Sequence, residues 1–393
     1  MDISYIFPAF LVGKQEDEPP MDASKTLAVD FPAVISRFRA WGDLVSVKPH
    51  GSGHINDTFK VEFGMAGRPV HYLLQRINHT IFKDPPAMME NILRVTNHLR
   101  MKLKQGGCAD VTRHSMCVVM ARDGKTCYHD PNGNWWRMYL FVEGARTHDR
   151  IQDVKQAFEV ARAYARFQMM LADLPAPRLN DTIPHFHNTP MRLAALRDVI
   201  QRDPCNRGKD VAEQIDFVEQ RASLCGRLLD RQARGEIPER ITHNDTKLNN
   251  VMLDEKTNEG VCVVDLDTVM PGLVLYDFGD MVRSATAAAL EDEHDMSKVG
   301  MRINMFEALA RGYLSEATFL NAAEREELVF SARLITLMIG MRFLTDYLQG
   351  DTYFKIKRPQ HNYDRCRGQF KMVQCMEQQE ETMQRIVDDC LKG

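Results

Sequence analysis

The 393 residues carry 50 Lys and Arg against 54 Asp and Glu, a formal net charge of −4, with 44% hydrophobic and 26% charged residues. This is the mixture of a folded globular protein, and the length predicts two lobes. The charge balance gives no global field for nucleic acid or an anionic membrane, so attraction for a phosphate group must be local.

The nine cysteines stand singly with no C-x-x-C pair, which excludes a zinc spacing and predicts reduced thiols in a cytoplasmic protein. Ile3–Val12 reads as a short packed helix or arm, and no run reaches the length of a transmembrane helix. Residues 13–29, acidic with Pro19 and Pro20, read as a surface loop. Phe31, Val34, Ile35 and Phe38 predict a helix over 31–40. Strands are predicted at Leu44–Val47, Thr58–Phe63 and Val70–Arg76, the first two joined by the turn Gly51-Ser52-Gly53. Asp84-Pro85-Pro86 starts a helix to Leu103 with Met88, Ile92, Val95 and Leu99 on one stripe. Val111–Met120 and Trp135–Phe141 read as further strands, the second entered by a turn at Asn132-Gly133. Beyond Phe141-Val142-Glu143-Gly144 the pattern turns helical: Asp153–Leu174, Val211–Arg234, Glu324–Leu348 and Phe370–Leu391. The expectation is an α+β, bilobal, protein-kinase-like fold. Its N-lobe, residues 1–142, holds a mixed β-sheet that binds nucleotide; its C-lobe, residues 143–393, is mainly α-helical.

The most specific segment is I-T-H-N-D-T-K-L-N-N-V-M, Ile241–Met252, where His243, Asp245, Lys247 and Asn250 fall in the order H-x-D-x-K-x-x-N. The apolar run Val261–Val264 then ends at Asp265, 20 residues after Asp245. Kinase chemistry needs this set: a carboxylate at the acceptor hydroxyl, a cation at the transferred phosphoryl group, and an amide and a carboxylate on Mg²⁺. Asp245 is assigned to the hydroxyl, as general base or as orienter. Lys247 is assigned to the γ-phosphate, and Asn250 and Asp265 to Mg²⁺. Asp267, at strand spacing from Asp265, is expected to point the same way and share the metal. His243 braces the loop. The bland alternative is a polar turn before a strand.

Gly51, Ser52 and Gly53, followed by Asn56 and Thr58, let main-chain amides approach the phosphates of ATP, although such turns are often plain hairpins. Arg76 on the third strand is the cation for the α/β phosphates, with Glu90 as its partner or as a solvated residue. Glu143, at the junction of the lobes, is also assigned to the nucleotide. In Tyr276-Asp277-Phe278-Gly279-Asp280, Asp277 is read as a brace that caps backbone amides or pairs with an arginine. Asp265 already fills the metal position.

These motifs resemble the aminoglycoside phosphotransferase and choline kinase superfamily, and within it the bacterial N-acetylhexosamine 1-kinases. The resemblance runs from about residue 42 to 370 and includes GSGHINDTF (Gly51–Phe59), LQRIN (Leu74–Asn78), FVEGART (Phe141–Thr147) and FHNTP (Phe186–Pro190). HNDTKLNNVM (His243–Met252), VDLDTVMPGLVLYDFGD (Val264–Asp280), RFLTDY (Arg342–Tyr347), YFK (Tyr353–Lys355) and PQHN (Pro359–Asn362) complete it. It implies ATP- and Mg²⁺-dependent phosphorylation of the anomeric hydroxyl of N-acetylglucosamine or N-acetylgalactosamine; separately, the chain is expected to act as a monomer, with neither nucleic acid nor membrane as partner. It also implies sugar contacts by His54, Arg342 and Tyr353, beside Asp245. Arg342 has a structural alternative, a buried arginine paired with Asp346 or Asp277. Tyr353 either stacks on the sugar or packs, and His54 has a loop-bracing alternative. Asn188 stands where the pattern expects an acid, which weakens any sugar or arginine contact there. Rival acceptors are another hexose, an amino alcohol or an aminoglycoside. A non-catalytic ATP-binding scaffold is disfavoured because every base and metal position is filled.

Overall fold

The computed structural model describes residues 29–51 and 55–392 and divides into two units, residues 1–97 with 116–143 and residues 98–115 with 144–393. The expected arm over Ile3–Val12, most of the 13–29 loop, and Ser52, Gly53 and His54 lie outside the described residues. In chain order come α1 (Phe31–Ile35), β1 (Asp43–Pro49), β2 (Asp57–Met65), β3 (Arg68–Ile77), α2 (Pro85–Gln105), α3 (Val111–His114), β4 (Val118–Val119), β5 (Tyr128–His129) and β6 (Trp135–Leu140). Next are β7 (Ala145–Arg146), α4 (Val154–Leu171), α5 (Thr189–Arg202), α6 (Ala212–Glu219), α7 (Arg227–Ala233), β8 (Arg240–Thr242), β9 (Val251–Asp254), β10 (Gly260–Val263) and β11 (Met270–Gly272). The chain closes with α8 (Val274–Thr286), α9 (Ile303–Leu314), α10 (Ala322–Glu326), α11 (Leu328–Leu348), α12 (His361–Gln378) and α13 (Glu380–Lys392).

The first unit is built on a sheet in the order β1-β2-β3-β6-β4, with β5 also on β6. Every pairing is antiparallel, where a mixed sheet was expected. Alternation puts Val61 and Phe63 of β2, Tyr72 and Leu74 of β3, and Trp136 and Met138 of β6 on one face, where they bury against Val34, Ile35 and Phe38. The register matches: Val61 faces Tyr72, and Leu74 faces Met138.

The second unit is mostly helical. Two small antiparallel ladders, β10-β9-β7 and β11-β8, hold its loops. Its central helix, α11, is long and apolar enough to suit a bilayer, contrary to the expectation that no run would be, but 89% of that apolar window is buried inside the protein. A helix that is hydrophobic all round is then a core helix.

Several predicted elements change. Val111–Met120 was expected as one strand on its β-branched residues. Instead Asp110 accepts from Arg113 N and Thr112 Oγ1, which winds a helical turn first and leaves only Val118–Val119 as strand. The predicted helix 31–40 stops at Ile35, because Phe38 bridges Ala121. Val211–Arg234 is broken into α6 and α7 around Gly226, a residue that costs about 1 kcal/mol in a helix interior relative to Ala. The predicted 324–348 helix divides at Glu327, whose carboxylate is held by Arg227 and Arg231. The predicted 370–391 helix lies across α12 and α13, which meet at Gln379. Helices α5, α8 and α9 were not anticipated.

Candidate active site

In the first unit, the residues assigned to nucleotide have partners of their own. Gly51, at φ +79°, needs the left-handed backbone that glycine supplies, and an added Cβ there would meet nothing within 4 Å. Asn56 Oδ1 accepts from Asn78 N at 2.9 Å, and Thr58 Oγ1 accepts from Gln75 Nε2 at 3.0 Å. Arg76 sits opposite Asp57 in the β2–β3 register and donates to it through Nε at 2.8 Å. Its ion pair is therefore with Asp57, where Glu90 had been suggested. Glu143 is exposed and meets His71 Nδ1 at 2.5 Å.

In the second unit, β8 delivers the chain into the loop 243–247, and one tight helical turn, Leu248–Asn250, carries it on to β9. Asn244 takes a left-handed conformation, φ +66°, which an asparagine tolerates because its amide bonds locally. Here that amide donates to Thr268 O at 2.9 Å. The loop is pinned from α8. Asp277 accepts from His243 N at 2.8 Å, Asn244 N at 2.7 Å and Gln168 Nε2 at 2.6 Å, so it caps backbone amides, the first of its two expected roles. Burial pushes its carboxyl up to about 6, against the pull of His243 and these donors. His243 accepts from Asp245 N at Nδ1 (3.3 Å), which fixes the proton on Nε2 for Val264 O at 2.9 Å. It braces the loop, as expected.

Asp245 is about a quarter exposed and lies 2.8 Å from Lys247 Nζ. Burial works to raise its pKa, but the Lys247 charge and hydrogen bond outweigh it and hold the carboxyl below the usual range. The Asp245 charge in turn raises Lys247. Asn250 is buried and donates through Nδ2 to Asp245 O (2.9 Å) and Oδ2 (3.2 Å). Its main-chain oxygen accepts from Val264 N at 2.9 Å, one residue before Asp265. Burial and the charges of Asp245, Asp277, Asp280 and Asp265 all raise the phenol of buried Tyr164. The two aspartates on which the sequence argument turns therefore share one neighbourhood.

A metal fits the donor set. Asn250 commits its amide nitrogen to Asp245 and keeps its side-chain oxygen as donor, and Asp265 is exposed at φ +59° just past β10. Among the described residues no cluster of three His, Cys, Asp or Glu could cage an ion. That suits Mg²⁺, which takes one or two protein oxygens and fills the rest from water and phosphate. Asp267 does not share the exposed side of Asp265, contrary to the expectation from strand spacing. Residues 266–268 form a tight helical turn after the left-handed Asp265, so alternation does not apply, and Asp267 is buried where Asp265 is exposed.

A second cluster adjoins the loop. His187 Nε2 meets Asn244 O at 3.0 Å, and burial pushes this histidine down to about 4, so it is neutral. The Arg342 guanidinium lies 5.5 Å from the Phe186 ring, 5.7 Å from Tyr353 and 5.5 Å from Phe354, and donates to Tyr353 OH at 3.4 Å. It forms no ion pair among the described residues. Its two suggested partners are engaged elsewhere: Asp277 on the catalytic loop, and Asp346 on the amides of Thr352, Tyr353 and Phe354 at 2.7–2.9 Å. Arg192 donates to Phe186 O at 3.0 Å, and burial followed by the Arg342 charge brings it down to about 9. Asn188 caps α5 by accepting from Met191 N at 3.0 Å, a task its side-chain oxygen performs without a sugar contact. His187 and Arg192 escaped the sequence reading, although FHNTP contains the first of them.

The model of the phosphotransferase enzyme family matches residues 46–319. An aminoglycoside phosphotransferase from Alicyclobacillus acidocaldarius superposes with a TM-score of 0.57 at 13% identity, covering 97% of this chain and 98% of its own. A choline kinase from Cryptosporidium parvum superposes with a TM-score of 0.52 at 14% identity, covering 87% and 91%. At such identities the likeness is one of fold, the α+β kinase-like arrangement expected from the sequence.

Proposed function

We propose that this chain, which belongs to the phosphotransferase enzyme family and is an ATP-dependent enzyme acting on a hydroxyl, phosphorylates the anomeric C1 hydroxyl of an N-acetylhexosamine. Asp245 takes a hydrogen bond from that hydroxyl. The sugar oxygen forms its bond to the γ-phosphorus as the bond to the ADP oxygen breaks, and the proton passes to Asp245. A carboxyl held below its usual range is ionised at neutral pH and orients the hydroxyl first. Lys247 is its nearest cation. As that ammonium is drawn to the transferred group, Asp245 loses what depresses it and becomes a better proton acceptor. Asn250 and Asp265 would hold Mg²⁺, which when bound neutralises phosphate charge.

The acceptor assignment rests on Arg342 set among Phe186, Tyr353 and Phe354. A fixed donor fork among aromatic faces suits a ring with hydroxyls on its edges and C–H groups on its face. Two guanidiniums, Arg192 and Arg342, bear on each other there, and they oppose a cationic aminoglycoside or choline-like acceptor by like-charge repulsion. The test is turnover of a panel of N-acetylhexosamines, other hexoses, amino alcohols and aminoglycosides with ATP and Mg²⁺, with the product identified by NMR. The 1-deoxy sugar should not turn over, and Arg342→Ala should raise the sugar KM more than the ATP KM. Turnover of the 1-deoxy sugar, or preference for a cationic acceptor, overturns the assignment.

A further inference from the structure

A cavity of about 260 Å³ lies within the second unit, on the side of the catalytic loop marked by Lys247, Leu248 and Asn249. It is smaller than a drug-sized pocket, roughly 300 Å³ or more, and is of monosaccharide scale. Four cationic side chains line it, Arg150, Lys247, Arg283 and Arg302, against two carboxylates, Asp149 and Glu291. The partners of these cations divide them. Lys247 is held by Asp245, and Arg283 by Asp280 at 2.8 Å and Glu291 at 3.0 Å. Arg150 and Arg302 form no ion pair among the described residues and bond only to main-chain carbonyls. Arg302 Nη2 reaches Ala285 O at 2.9 Å, and Arg150 Nη2 reaches Ala288 O at 3.5 Å. Arg302 also precedes α9, whose first turn has no side-chain cap, so the positive end of that helix adds to the same field.

The second observation is independent of charge. Gln369, on the α12 wall of the cavity, is 5% exposed, and its Oε1 is buried with no hydrogen-bond partner. Buried carbonyl oxygens in folded proteins are normally paired. This one is an acceptor awaiting a donor, in the wall of the same cavity as two arginines awaiting an anion. Met372, Leu290 and Val299 supply apolar surface on the remaining sides. A ligand with an anionic group, a hydroxyl and a C–H face satisfies all three.

We propose that this cavity binds a sugar phosphate, with Arg150 and Arg302 on the phosphate and Gln369 Oε1 accepting from a ring hydroxyl. The ligand is either the enzyme's own phosphorylated product, held beside Lys247, or another monosaccharide phosphate acting as effector. The product arm rests on the proposed sugar acceptor and the effector arm does not; binding is measured without turnover, so failure of the cavity is distinguished from failure of the acceptor panel.

The test is calorimetry on the full chain with N-acetylglucosamine 1-phosphate, N-acetylglucosamine 6-phosphate and inorganic phosphate as probes. Arg302 also caps carbonyls of α8, so Arg150→Ala and Gln369→Leu carry the experiment. Arg150→Ala should weaken sugar phosphate binding by on the order of tenfold. Gln369→Leu should weaken the sugar phosphates and leave inorganic phosphate unchanged. A preference for the 1-phosphate identifies the product as the ligand, and equal or better binding of the 6-phosphate identifies an effector. No binding of either sugar phosphate, or affinities unchanged in both variants, overturns the proposal.

Discussion

Gly279→Ala sets two opposed effects against each other. In an open helix the change stabilises by about 1 kcal/mol, since glycine loses more backbone freedom on folding. Here Gly279 faces α11. A Cβ built on it lies 2.5 Å from Ser331 O, 2.8 Å from Ser331 C and 2.9 Å from Ile335 Cγ2, where ordinary contacts are 3.4–4 Å. The nearest obstacle is backbone, which has no rotamer to escape into, so α8 and α11 must separate by close to 1 Å. Overpacking of that kind costs about 1–3 kcal/mol, and a backbone clash belongs at the upper end, leaving a net loss of about 1–2 kcal/mol. Activity should suffer more. Asp277, two residues earlier on the same helix, holds the amides of His243 and Asn244 at 2.7–2.8 Å. A helix moved by a good part of an ångström carries the catalytic loop with it, and displacement on that scale costs on the order of tenfold to 10²-fold in kcat. Urea denaturation gives the first number and steady-state kinetics the second. A Gly279→Ala protein as stable as the parent, with full kcat, would refute both the close crossing and the dependence of Asp245 on α8.

Asp245→Asn keeps the shape of the side chain and removes its charge, so kcat should fall by about 10³-fold or more while the ATP KM stays within about twofold; turnover within tenfold of the parent rules out the assigned role. Asp277 predicts a pH signature in which stability and activity move in opposite directions. Burial pushes its folded value up to about 6, above the ordinary 3.8 of an aspartate. Its contribution to stability is therefore fully present below about 3.8 and is lost, by roughly 3 kcal/mol, as pH rises through about 6. Protonation below 6 also puts an O–H against amides that need an acceptor, so kcat should fall there. Melts from pH 4 to 7.5 should show this slope in the parent minus Asp277→Asn difference, and a flat difference contradicts it.

What could be read from the chain alone was what lies close together in it. His243, Asp245, Lys247 and Asn250 span eight positions, and their mutual contacts, Lys247 and Asn250 on Asp245 and His243 on the Asp245 amide, stay inside that span. The strands of the first unit were legible for the same reason, as short apolar runs beside turn residues, even though Val70–Arg76 alternates poorly in sequence. Helix α8 carries Asp277, Asp280 and Arg283 at helical spacing, but that polar stripe is buried and so does not mark a surface; α11, apolar nearly all round, was still legible as most of the helix expected over 324–348. Strand alternation also misled at Asp267, where one left-handed residue resets the direction of all that follows.

The same contrast separates two buried aspartates that do similar work. Asp346 gathers the amides 6, 7 and 8 residues further on and so builds the loop that carries Tyr353. Asp277 gathers two amides 33 and 34 residues back and so holds the loop that carries Asp245. Each spends a carboxylate on backbone donors, in a place where burial raises its pKa, in order to hold a functional side chain on a fixed loop. Had either been paired with Arg342, as charge alone suggested, that arginine would be neutralised. With both engaged on amides, its guanidinium stands among three aromatic rings with no ion pair among the described residues. The cation that the proposed function offers to the acceptor is left without an ion pair because the nearby acids are bound to main-chain N–H groups, which have no side-chain identity for a sequence motif to record.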